Sequence, residues 1–235
     1  MSPRLVVLLA ALPLSSGCVH APPTPPVPPM STPTPPLPPA PPIVQAGEAV
    51  LRERAAEVPP GQYGSPELKA LVQRMVEAMR AAPGVGLAAP QLGVPLRVIV
   101  LEDTEARMAA LTPAERAERG REPFSLRVLV NPVLRFRGEP RDVFFEGCLS
   151  VRGYAGLVAR AHEVEVTAVD ELGAPVRWTV AGWPARILQH EVDHLDGTLY
   201  VDRMYARSFS TQELAKARFA GKSAADILRA LGLGL

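Results

Sequence analysis

The sequence has little cysteine, almost no net charge and no long apolar run, and each shortage removes a class of protein. Two cysteines, Cys18 and Cys148, cannot build a disulfide framework. The 25 Lys and Arg set against 24 Asp and Glu leave a formal charge of +1, so no nucleic-acid partner is expected. The apolar run at residues 5–12 is far shorter than the roughly 20 residues that cross a bilayer as a helix. Apolar residues still make up 47% of the 235 positions, enough for a buried core. What the chain has in excess is proline: 27 residues, of which 13 lie between Pro22 and Pro42.

Residues 1–18 read as a signal segment. Arg4 is the only charged side chain ahead of the apolar run, and Pro13, Leu14, Ser15, Ser16 and Gly17 lead to Cys18. The run suits the apolar centre of a secretory signal. Small residues just before a cysteine resemble the bacterial lipoprotein processing box, with Ser15 standing where that family usually has leucine. The resemblance implies a lipidated Cys18 and a membrane tether. The alternative is a start at Met30 and a cytoplasmic protein. Residues 19–46 read as a disordered spacer. No Asp, Glu, Lys or Arg occurs from Leu5 to Gly47, and the prolines favour extended polyproline II. At roughly 3.1 Å per residue the proline-rich stretch reaches about 65 Å. Nothing before Gly47 is expected to contribute to a site.

Residues 47–235 have the composition of a folded domain. Ser65 followed by Pro66 starts a helix, and Leu68, Leu71, Val72, Met75, Val76 and Met79 recur at helical spacing. Strands are expected at residues 97–101, 126–130, 143–145, 163–169 and 176–180. The charged, Ala-rich stretch 104–123, interrupted by Pro113, reads as an exposed helical excursion. A helix opens at Pro184 and runs through His194, and shorter ones cover 211–219 and 224–231. This order of elements predicts an α+β fold with a mostly antiparallel sheet packed on helices.

The helix from Pro184 carries Gln189-His190-Glu191-Val192-Asp193-His194. Residues four apart on a helix share a face, so His190 and His194 can bind one cation, while Glu191 beside them can move a proton without binding it. A catalytic metal needs a third protein ligand and an open position. Cys148, in Glu146-Gly147-Cys148-Leu149-Ser150 at a strand end, is the candidate, although a lone cysteine is commonly a small buried hydrophobe. In Gly84-Val85-Gly86-Leu87-Ala88-Ala89-Pro90-Gln91, small residues allow another backbone to approach, and Gln91 offers an uncharged donor to an oxyanion. Small-residue helix packing explains that segment equally well when it is taken alone.

Together, GVGLAAPQ, EGCLS and QHEVDH resemble the three motifs of peptide deformylases, over about residues 46–212. Residues 182–186, the charged segment before Phe124 and residues 203–209 look most like the animal mitochondrial branch. The resemblance implies mostly antiparallel sheets packed around a central helix carrying the HExxH motif. It also implies one divalent ion, Fe2+ or else Zn2+, Ni2+ or Co2+, held by Cys148, His190 and His194. Glu191 would be general base and acid, and Gln91 with the Leu149 N–H would hold the oxyanion. Gly86 and Gly147 would pair with the backbone of an N-formylmethionyl peptide. Val85, Glu146, Trp183, Ile187 and the ring of His190 would border its methionine side chain. Arg160 would pair with Asp193 behind the ligand helix. The implied reaction is hydrolysis of the formyl group by a monomer, releasing formate.

Two rivals remain at this point. A zinc endopeptidase would need a third ligand after His194, where no histidine occurs. A silent binding lipoprotein would be marked by loss of Gln91, Glu191 or a ligand, and all are present. The N-terminal reading has its own test. Full-length protein should partition with membranes, and Cys18→Ser should release it, because lipid anchoring needs acyl chains on that residue. Mass spectrometry of the mature N-terminus checks this; a peptide retaining unmodified residues before Cys18 contradicts the tether.

Overall fold

The structure is a computed structural model that describes residues 42–82 and 84–233, with only the backbone described at residues 139–141. The expected signal segment 1–18 and nearly all of the spacer 19–46 lie outside the described residues. Helix α1 (Pro66–Ala81) starts as its sequence predicts: Pro66 fills the first position, and the Ser65 side chain accepts the Leu68 N–H at 3.1 Å. Its apolar stripe is buried from Leu68 to Met79.

After α1 the chain forms strands β1 (Gly86–Ala88) and β2 (Val98–Asp103), then the short helices α2 (Glu105–Met108) and α3 (Pro113–Arg119). Pro113 does not interrupt this excursion but opens α3, behind a Thr112–Glu115 capping box. Strands β3 (Phe124–Cys148) and β4 (Val151–Val169) make one long antiparallel hairpin. The expected strands at 126–130 and 143–145 are therefore two parts of β3. Register shifts after Val130 and around Pro140 carry the pairing through the segment between those two expected strands. Strand β5 (Pro175–Ala181) then leads into helix α4 (Gly182–Leu195), which begins two residues before Pro184. Helix α5 (Tyr200–Arg203), unforeseen in the sequence, is followed by β6 (Ser210–Thr211), α6 (Gln212–Phe219) and α7 (Ala224–Ala230).

The sheet runs β1-β2-β3-β4-β5, with antiparallel pairing throughout and β6 added to β4. The mixed helix and antiparallel-sheet class is thus as the sequence implied. Alternation along β2 divides the interior into two layers. Val98 and Val100 pack with α1, whereas Ile99 and Leu101 pack with Ala185, Ile187, Leu188, Val192 and Leu195 of α4. Helices α6 and α7 cover the far end of the hairpin, where Phe219, Ile227 and Leu228 meet Val143 and Leu157. Among the described residues no helix is long and apolar enough to cross a membrane.

Residues 43–46, placed in the spacer by composition, are bonded to the domain. Val44 N–H donates to Gln91 O at 2.9 Å and Ala46 N–H to Ser150 O at 2.8 Å. Leu101, fully buried between β1, β3 and α4, tests the core. Leu101→Ala should cost about 2–5 kcal/mol, read as a lower urea midpoint at unchanged slope.

Candidate metal centre and cavity

Helix α4 is held at both its start and its middle. Gly182 has φ +66°, and Trp183 N–H donates to Gly120 O at 3.3 Å, so the end of α3 sits against the helix start. Gln189 exchanges both hydrogen bonds with Ala161 of β4, donating from Nε2 at 2.9 Å and accepting at Oε1 at 3.0 Å. These contacts set the rotation of α4 and therefore the direction of His190 and His194. Cys148 ends β3 facing them.

The ligand atoms of Cys148, His190 and His194 lie within 4.8 Å of one another. The Cys148 Sγ is 3.2 Å from His194 Nε2. His190 Nδ1 is paired with Glu146 Oε2 at 2.9 Å, which leaves its Nε2 for the cluster. Burial pushes His194 well below its ordinary value and so keeps it neutral, the form that ligates. For His190 burial acts in the same direction, but hydrogen bonds to Cys148 and Glu146 outweigh it and raise its value. The set of one sulfur and two imidazoles suits a first-row divalent ion.

Glu191 lies one residue from the first histidine, with Oε2 buried and unpartnered. Its carboxyl rests against Gly86, where any Cβ would collide with it; this close approach is why that position is glycine. Burial pushes the carboxyl up to about 7. Gln91 is oriented by its backbone: Oε1 accepts the Ala88 N–H at 2.8 Å. Its Nε2 therefore turns inward, 3.2 Å from Ser150 Oγ and 3.6 Å from Cys148 Sγ.

Behind the cluster lies a buried ionic network. Arg160 grips Glu146 with two hydrogen bonds of 2.9 Å and reaches Asp193 at 2.5 Å. Arg186 adds a 2.6 Å bond to Glu146, and Arg203 holds Asp193 with two bonds of 2.7 Å. Burial alone would raise the Glu146 carboxyl, but hydrogen bonds from Arg160 and His190 hold it well below the usual carboxylate range.

A cavity of about 350 Å³ opens onto this centre. Val85, Gly86, Gln91, Glu146, Gly147, Cys148, Leu149, Trp183, Ile187, His190 and Glu191 line it, so the three motifs meet there as expected. His194, Arg160 and Asp193 stand behind its wall. Glu146 was expected only as a border of the cavity; it is also the hub of the network. Sequence reading missed Arg186, Arg203, Gln212 and Tyr200. Gln212 lines the cavity beside Gly147, and the Tyr200 ring stacks on His190 at 6.3 Å. Arg186 stands four residues before His190 on the same helix face, the one local signal among them.

The fold and centre define an α+β protein with a buried cysteine–histidine cluster beside an unpartnered carboxyl group. Within that class, the chain belongs to the polypeptide deformylase family, whose sequence profile matches residues 40–209. It is 50% identical over 171 residues to a chloroplastic peptide deformylase 1A of Solanum lycopersicum, covering 73% of this chain. It spans 62% of that relative's length, less than two thirds. It is 48% identical over 168 residues to the mitochondrial peptide deformylase of Homo sapiens, covering 72% of this chain and 69% of that one. A Met-Ala-Ser-bound crystal structure of a class I type b peptide deformylase from Acinetobacter baumannii superposes with a TM-score of 0.61 at 36% identity. That match covers 69% of this chain and 97% of the other.

The network carries a prediction of its own. Arg160→Leu would leave two buried carboxylates short of a partner, and should cost about 3–5 kcal/mol. Denaturant melts check the value, and a loss below about 1 kcal/mol would contradict the burial-driven account.

Proposed function

We propose that the chain hydrolyses the formyl group of N-formylmethionyl peptides, releasing formate. The observation that carries this reading is the unpartnered Glu191 carboxyl, set between the Cys148–His190–His194 cluster and a peptide-sized cavity edged by Gly86 and Gly147. Cys148, His190 and His194 hold one divalent ion, Fe2+ in our reading. When bound, that ion supplies Lewis acidity and brings the pKa of a water toward about 7.

The chain's own groups do the rest. Glu191 accepts a proton from the attacking water and returns it to the departing amine. Its burial keeps its carboxyl near the pH at which such a shuttle works best. Gln91 Nε2 and the Leu149 N–H donate to the developing oxyanion, and one such donor is typically worth about 2.7–4 kcal/mol. Val85, Trp183, Ile187 and the His190 ring enclose the methionine side chain, while Gly86 and Gly147 leave room for the peptide backbone. Helix α4 serves as the central helix of the family fold, and Arg160 with Asp193 steadies it. The tether through Cys18 and a monomeric state complete the reading, with the folded part acting at the end of the proline-rich spacer.

Formyl-Met-Ala-Ser is the test substrate, with metal content measured alongside formate release. Glu191→Gln should keep the metal and lose about 10²–10⁴-fold in kcat. In the parent protein kcat/KM should fall as pH drops through the carboxyl's value, at or below about 7 because a nearby cation lowers it. A Glu191→Gln protein with normal turnover would end this mechanism.

A further inference from the structure

We infer that Gln45, upstream of the motifs, is a positioning residue for the oxyanion side of the centre; the inference rests on the deformylase reading. Residues 43–46 run beside both loops that supply oxyanion donors. Gln45 Nε2 donates to Leu149 O at 3.0 Å and to Ile43 O at 3.1 Å. On either side of it, Val44 N–H holds the Gln91 carbonyl and Ala46 N–H holds the Ser150 carbonyl. One short segment thus ties together two loops that are far apart in sequence.

The geometry gives Gln45 an effect beyond tying loops. The peptide unit joining Leu149 to Ser150 has its carbonyl on Gln45, and its N–H donates to Cys148 Sγ at 3.3 Å. A peptide unit is planar and stiff, so holding its oxygen aims its hydrogen. Gln45 therefore directs an N–H onto the sulfur that ligates the metal. Hydrogen bonds to a thiolate ligand draw charge from it, and outer partners of this kind tune both affinity and activity. Turning that plane also turns the Leu149 backbone, whose own N–H faces the oxyanion in the reading above. Gln45 touches neither substrate nor metal in this scheme and acts through Leu149.

The test compares Gln45→Met, which keeps the side chain's bulk without a donor, and Gln45→Lys, which restores one. Both are made in the full chain and loaded with cobalt(II). Gln45→Met should bind cobalt stoichiometrically but shift the sulfur-to-cobalt absorption band. Its kcat on formyl-Met-Ala-Ser should drop about 10-fold, the low end of the 10–100-fold seen for outer partners of metal sites, with KM within about twofold. Gln45→Lys should return the band and most of the kcat. An unmoved band with normal kcat per bound metal in Gln45→Met overturns the inference, as does a loss explained wholly by missing metal. If the parent chain releases no formate, the deformylase reading fails instead, while the cobalt band still reports on Gln45.

Discussion

The site depends on one buried contact, the grip of Arg160 on Glu146 and Asp193. Glu146 belongs to the strand that ends in Cys148, and Asp193 belongs to the helix that carries His190 and His194. The guanidinium therefore sets the distance between the sulfur and the two imidazoles. Buried ion pairs of this sort add little net stability over apolar packing of the same volume, because desolvation offsets the attraction. What the network supplies is position: bidentate guanidinium–carboxylate geometry tolerates little displacement. Glu146 extends that control to the histidine ring, since its bond to Nδ1 fixes which nitrogen faces the cluster.

A second constraint is the space left by small residues. The Glu191 carboxyl occupies the place where a Cβ at position 86 would be, so carboxyl and glycine are matched across the α4–β1 contact. The same packing buries the carboxyl, which accounts for its raised value without a neighbouring charge as the main cause.

The N-terminal boundary shows how composition and structure divide the evidence. Residues 43–46 lack charge and follow a proline-rich stretch, so by composition they belong with the spacer. Their backbone groups nevertheless bond to Gln91 and Ser150, and Gln45 reaches Leu149. Any tether joined to the domain through this segment ends within a few residues of the centre.

Helix α1, the alternating strand at residues 163–169 and the three motifs were legible in the sequence because each is a local pattern. A cap followed by proline, a period near 3.6, a period of two and His-x-x-x-His all act over a few residues. The cysteine, histidines, Glu191 and Gln91 could be named as a set because their chemical types are restricted and family resemblance ordered them. The continuity of β3 was not legible, since bulges absorb a proline and a glycine only when β4 is present to pair across them. The roles of Arg186, Arg203 and Gln45 were hidden for the same reason. Their partners lie 40, 10 and 104 positions away, and only the folded chain brings those groups within hydrogen-bond reach. Local periodicity determined the elements and the candidate chemistry; the long-range pairing of buried charges and backbone groups decided how they meet.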